Sequence, residues 1–182
     1  RTKLKQEKKN MFKQLCETTS DINEHLPILA ELAKDCKHIT EMGVRSCIST
    51  WAFIEGMEKG RLISIDIKHP SFYVHQGGDI SFEKAKQVCE KKGIDFEFIE
   101  ADTLKIEIEP TDLLFIDTLH TGKQLKQELR LHAGKAKKYI VFHDTTSCAD
   151  ELMPVINEFV KKGKWKVKAE YKNNNGFLIL CL

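Results

Sequence analysis

No apolar run in the 182 residues approaches the ~20 needed to cross a bilayer. No hydrophobic core of a secretion signal opens the chain. It begins at Arg1 rather than Met, so it reads as trimmed or as a piece of a larger protein. Charge of one sign is missing too: 29 Lys and Arg face 27 Asp and Glu, for a net +2. That balance exerts no global pull on nucleic acid or membrane, and a nucleic-acid partner is disfavoured. The cysteines (Cys16, Cys36, Cys47, Cys89, Cys148, Cys181) form no C-x-x-C pair and no zinc spacing with histidine. Scattered thiols fit a reducing compartment better than a disulfide framework, and we expect the cytoplasm. Also absent is G-x-G-x-x-G. Without its second glycine a pyrophosphate cannot approach the backbone closely, which weighs against NAD or FAD.

What is present is ordinary for a globular domain, with 41% apolar and 31% charged residues. The basic run Arg1, Lys3, Lys5, Lys8, Lys9 reads as a solvated helix face. Residues 3–18 form a helical pattern on Leu4, Met11, Phe12 and Leu15, and residues 1–20 read as an N-terminal helical extension. Ser20 or Asp21, with Glu24, caps a second helix whose early Pro27 is tolerated in the first turns. Strands then alternate with helices: strands at 38–42, 61–66, 95–99, 112–116 and 138–142, helices at 48–58, 81–92, 121–132 and 151–161. The helix at 121–132 is expected to pack through Leu125, Leu129 and Leu131. Two last strands, 165–171 and 177–182, flank the turn-rich Asn173-Asn174-Asn175-Gly176.

Strands joined through helices imply right-handed crossovers and a parallel sheet. The final hairpin makes one strand antiparallel. The expectation is therefore an α/β domain over 21–182: a three-layer sandwich with about seven strands, mostly parallel, and one antiparallel strand near the edge.

Open α/β sheets bind ligands beyond the carboxyl ends of their strands. Those ends carry Glu41 and Gly43, Asp66, Asp102, Asp117, and His143-Asp144. Any single acid there can simply cap the next helix; five together point to a site. Asp66 lies about 20 residues past Gly43, where nucleotide-binding βαβ units hold a ribose diol. A carboxylate accepts from both vicinal hydroxyls. With one glycine in the first turn, the ligand should carry a ribose and no diphosphate, which S-adenosylmethionine satisfies. The long segment 68–79, aromatic and bearing Gly77-Gly78, reads either as a lid or as a plain crossover loop. Trp51 and Trp165 read as packing residues.

Five stretches in order resemble class I S-adenosylmethionine-dependent methyltransferases: I-T-E-M-G-V-R-S-C-I-S-T, L-I-S-I-D-I, F-I-E-A-D-T, L-L-F-I-D-T-L-H-T and Y-I-V-F-H-D-T-T. The narrower likeness is to the cephalosporin-hydroxylase-like and macrolide-sugar O-methyltransferase group, and the terminal N-G-F-L-I-L resembles the last strand of that Rossmann-like fold. The resemblance covers about residues 22–182. It implies S-adenosylmethionine as cofactor and a small hydroxylated molecule or sugar as acceptor. Glu41 and Gly43 would flank the methionine portion, Asp66 the ribose, and Ala101 with Asp102 the adenine. Asp117 would serve both cofactor and chemistry. Relatives with a magnesium site imply Asp117 and Asp144 as Mg²⁺ ligands, with His143 beside them. His120 and His143 stand where a histidine can take a hydroxyl proton. The chain departs from the pattern at Arg45, Cys47, His143 and Thr145. His25, His38, His69, His75 and His132 read as surface or core. Two other readings stay open: a non-catalytic binding domain that kept the fold, and a nucleotide-dependent oxidoreductase.

Overall fold

A computed structural model describes residues 11–182 of the chain. The basic run and the start of the 3–18 helix lie outside the described residues. In chain order the elements are α1 (Met11–Glu17), α2 (Leu26–Ala33), β1 (His38–Met42), α3 (Ile48–Gly56), β2 (Gly60–Asp66), α4 (Gly78–Lys92), β3 (Ile94–Glu100), β4 (Thr111–Ile116), α5 (Gly122–His132), β5 (Ala136–His143), α6 (Ala149–Lys162), β6 (Lys166–Tyr171) and β7 (Phe177–Cys181).

The seven strands form one sheet in the order β3-β2-β1-β4-β5-β7-β6. All neighbours are parallel except β7, which runs antiparallel to both β5 and β6. The chain winds outward from β1 to β3, then returns to β4 on β1's other side. The switch point, and with it the natural ligand crevice, therefore falls at the carboxyl ends of β1 and β4.

Strand alternation builds two cores. On one face Ile39, Leu62, Leu113 and Phe115 meet Leu26, Leu29, Trp51, Phe53 and Phe82 from α2, α3 and α4. On the other, Ile63, Ile65, Leu114, Ile116 and Ile140 meet Leu125, Leu129, Leu152 and Ile156 from α5 and α6. A side chain as enclosed as Phe53, at 0% exposure, contributes about 2–3 kcal/mol by burial. Helix α1 lays Met11, Phe12 and Leu15 against the first core. Trp51 and Trp165 are buried packing residues, as expected.

Three local features bear on the site, and the last departs from the sequence reading. Residues 101–110, between β3 and β4, cross the sheet without a helix. They pack Ala101, Ile106 and Ile108 against the second core. The 68–79 segment is mostly 3₁₀ turns over Pro70–Gln76. Gly77 ends them at φ +70°, and a Cβ on Gly78 would stand 2.3 Å from the Pro70 carbonyl. In α5, Leu131 is exposed at 40% while Glu128 and His132 are buried. The helical repeat explains this: 128 and 132 share the Leu125 side, and 131 falls opposite.

Candidate active site

At the switch point lies a cavity of about 490 Å³. Its walls include Gly43, Val44 and Arg45 after β1, Asp66 and Ile67 after β2, Asp102 and Thr103 after β3, and Asp117 to His120 after β4. Asp144 from the end of β5 and Asp21 with Ile22 from the segment before α2 complete it.

Gly43 has φ +87°, and a Cβ there would sit 1.8 Å from the Asp117 carbonyl oxygen. So glycine is required by the close approach of two strand ends, whatever ligand binds. The turn beyond it is tight, with Arg45 and Cys47 also at positive φ. Asp66 holds that turn: its Oδ2 accepts from the N–H groups of Val44 (2.7 Å) and Arg45 (2.9 Å), and Oδ1 from that of Lys68 (3.2 Å). Asp102 behaves similarly, accepting at 2.9 Å from the Leu104 N–H. Both acids still border the cavity.

Two of the sequence-predicted cofactor residues do not line it. Glu41 shares the face of Ile39 and so turns toward α3. It is fully buried, and Ser49, Thr50 and Ser64 donate to it at 2.5, 2.8 and 2.6 Å. Burial pushes its carboxyl up to about 7, against the lowering effect of those three hydroxyls. Ala101 packs its methyl toward the second core while its N–H donates to the Asp66 carbonyl. Each stands behind the wall rather than on it.

A second cluster of side chains converges around His120. Its Nε2 lies 3.1 Å from Asp117 Oδ1 and 2.9 Å from Asp144 Oδ2. Asp117, His120 and Asp144 each offer a ligand atom within 4.8 Å of the others. Hydrogen bonding to the two carboxylates holds the His120 ring well above its ordinary basicity, despite partial burial. Asp144 is depressed below the carboxylate range: burial works against this, and His120, His143 and Ser147 overcome it.

His143, expected among the metal ligands, is placed differently. Only 1% of its side chain is exposed. Nε2–H donates to the main-chain carbonyls of Asp21 (2.9 Å) and Asn174 (3.3 Å). Nδ1 faces Asp144 Oδ2 at 3.1 Å and Asp117 Oδ2 at 3.4 Å, near enough for charge attraction but poorly aligned for a hydrogen bond. His143 thus backs the acids from inside. Asp117, His120 and Asp144 bring their ligand atoms together on the cavity, and His143 is not in that group.

Several wall residues had no signal of their own in the sequence. Asp21 reaches the cavity because its carboxylate pairs with both oxygens to Arg45 Nη2, at 3.1 and 2.9 Å. Its segment is tied to the β6–β7 turn: Asn174 accepts from the Glu24 N–H at 3.0 Å and donates to the Ser20 carbonyl at 2.7 Å. Tyr73 brings the 68–79 segment to the rim.

No family model matches the sequence, and no curated protein is significantly similar to it. Solved structures are similar in fold. A putative caffeoyl-CoA O-methyltransferase from Staphylococcus aureus superposes with a TM-score of 0.66 at 15% identity, covering 99% of this chain and 96% of that one. The S-adenosylhomocysteine-bound methyltransferase PaMTH1 of Podospora anserina gives 0.63 at 15%, covering 97% and 84%. The S-adenosylhomocysteine-bound N-methyltransferase NodS of Bradyrhizobium japonicum gives 0.62 at 14%, covering 98% and 95%. The chain has the Rossmann-like fold of class I methyltransferases.

Proposed function

We propose that the chain is an S-adenosylmethionine-dependent methyltransferase directed at an oxygen of a small hydroxylated molecule or sugar. One observation carries the reading. The Asp117–His120–Asp144 cluster opens on the same cavity as Asp66 and Asp102, so a nucleoside held by the second pair would face the first cluster. The fold shared with S-adenosylhomocysteine-bound enzymes supports the choice of cofactor.

The donor set fits that cofactor. Asp66 and Asp102 offer carboxylate oxygens to hydroxyl and amino groups, and the cavity is large enough for a nucleoside with a short tail. When bound, S-adenosylmethionine supplies an electrophilic methyl group. Asp66 would orient the ribose, and Asp102 the adenine. His120 would take the acceptor's hydroxyl proton once it has released its own: the two carboxylates hold the ring protonated up to about 10, its side chain is 39% exposed, and the accepting form grows as pH rises.

The same trio fits a divalent cation. An imidazole nitrogen with two carboxylates suits Mn²⁺ or Zn²⁺ better than Mg²⁺, which favours oxygen ligands. A cation there would stabilise the acceptor's alkoxide.

Asp66 also supports a second reading. Its oxygens already accept three backbone N–H bonds, as in a purely structural cap of a non-catalytic binding domain. Thermal shift decides between the two. At 100 times its Kd, S-adenosylhomocysteine adds about 2.7 kcal/mol of stability. A shift lost in Asp66→Ala supports the methyltransferase. No shift at millimolar ligand sinks it, and a shift with NAD alone would favour an oxidoreductase.

A further inference from the structure

Helix α5 presents an unusual polar stripe to the interior. Gln124, Glu128 and His132 follow one another at four-residue spacing and so share one face. Glu128 is completely buried, with no ion pair to it among the described residues. Its Oε1 accepts from Thr103 Oγ1 at 2.6 Å, Thr118 Oγ1 at 2.8 Å and Gln124 Nε2 at 2.9 Å. Thr118 also reaches Oε2 at 2.9 Å, and Gln124 donates to Thr103 Oγ1 at 3.2 Å. One turn further on, buried His132 meets the Thr103 carbonyl through Nε2 at 2.7 Å.

The partners are the informative part. Thr103, Thr118 and Gln124 all line the cavity, and Glu128 does not. Thr103 follows β3 and Thr118 follows β4, so one carboxylate joins the ends of two strands that are not neighbours in the sheet. The segment it grips is the β3–β4 crossover, which has no helix of its own to fix it. A buried carboxylate costs several kcal/mol of desolvation unless donors surround it. A chain needing only core at this position would be better served by Leu, as at Leu125 and Leu129.

We infer that Glu128 is a positioning residue: through Thr103, Thr118 and Gln124 it sets the wall of the cavity against which the adenosine portion of the cofactor lies. The inference rests on the methyltransferase reading for the identity of the ligand, and on geometry alone for the wall. Glu128 touches no reacting atom.

Two measurements on Glu128→Gln, with Leu129→Ala as comparison, test it. Gln keeps the shape and one accepting oxygen, but it removes the charge that draws three donors together and puts an N–H₂ where Oε2 meets Thr118. S-adenosylhomocysteine affinity by calorimetry should fall at least tenfold in Glu128→Gln. Leu129→Ala damages the core of the same helix, so it should lower the melting temperature while leaving affinity within twofold. Amide exchange supplies a readout that needs no ligand. Exchange at Leu104 and Lys105, in the turn that Asp102 caps, should quicken at least tenfold in Glu128→Gln. That at Val44 and Arg45, held by Asp66 on the opposite flank, should not change. Should Glu128→Gln fail to fold, Glu128→Asp keeps the charge, withdraws the oxygens and carries the same two readouts. Affinity within twofold of wild type, or exchange that quickens equally on both flanks, overturns the inference. If wild type binds no S-adenosylhomocysteine, the cofactor reading falls, and amide exchange alone decides whether Glu128 sets the wall.

Discussion

His143 and Asp21 are 122 residues apart in the chain, yet His143 Nε2–H donates to the Asp21 carbonyl at 2.9 Å. The other edge of the same ring faces Asp117 and Asp144. One buried imidazole therefore connects the segment before α2 to the acids that end β4 and β5. The acids hold it above its ordinary basicity, overcoming the opposing effect of burial.

Replacing His143 by Ala should consequently do two things. It strips Asp144 of one of two imidazole partners; His120 and Ser147 remain, so the loss should fall below the ~3–5 kcal/mol of a buried charge left alone. It also frees the Asp21 carbonyl, loosening residues 20–25. Urea denaturation should show the stability loss, and limited proteolysis should cut first within 20–25. A variant as stable and as resistant as wild type would mean His143 is an ordinary packing residue.

Gly43→Ala tests the approach of β1 to β4. The added methyl collides with the Asp117 carbonyl, and φ +87° is itself strained for a side chain. Strain of this kind costs about 1–3 kcal/mol before any displacement is counted. The melting temperature should fall and ligand affinity should drop with it, because Asp117 must move. A fall in affinity at unchanged stability would show instead that Gly43 matters through direct approach of the ligand.

The fold was legible because its signals are local and repeated. Apolar strands end on acids, helices carry one apolar stripe, and the Asn-rich turn announces the hairpin. Part of the cavity wall was legible for the same reason, as Gly43, Asp66 and Asp102 sit at strand ends that any such sheet brings together. Glu41 and Ala101 occupy the same ends but face inward, a matter of strand alternation that a motif does not record. The roles of His120 and His143 could not be separated by position along the chain, because Nε2 of His143 is claimed by carbonyls from distant segments. Glu128 was missed because an acid on an amphipathic helix ordinarily faces water; its three-residue spacing from Leu125, which puts both on one face, was the available signal.

Glu41 predicts a pH dependence whose sign is fixed by its raised carboxyl. Unfolded, it ionises near its ordinary value of 4.5; folded, it holds its proton up to about 7. Between those values the folded chain binds more protons than the unfolded one, so stability falls as pH rises. The contribution is whole below 4.5 and lost above about 7, where burying the charge costs roughly 3 kcal/mol. Glu41→Gln removes the ionisation. Its stability relative to wild type should climb between pH 5 and pH 8, read from urea midpoints. A constant difference across that window would mean the carboxylate is ionised throughout.

The donor set at the cavity mouth makes a prediction about metal preference. Asp117, His120 and Asp144 combine two carboxylates with one imidazole. Imidazole contributes little to Mg²⁺, which keeps most of its own water, but is a good ligand for Mn²⁺ or Zn²⁺. On metal-stripped protein, Mn²⁺ should raise the melting temperature at concentrations where Mg²⁺ does nothing. His120→Ala should erase the Mn²⁺ response. Asp144→Asn should erase it too, since the amide retains one neutral oxygen where a charged ligand stood. His143→Gln, altered behind the trio rather than within it, should weaken the response without abolishing it, provided the variant is compared at its own apo baseline. Equal shifts with both metals, surviving in His120→Ala, would place the cation on surface acids instead, and His120 would then act as an acid–base group alone.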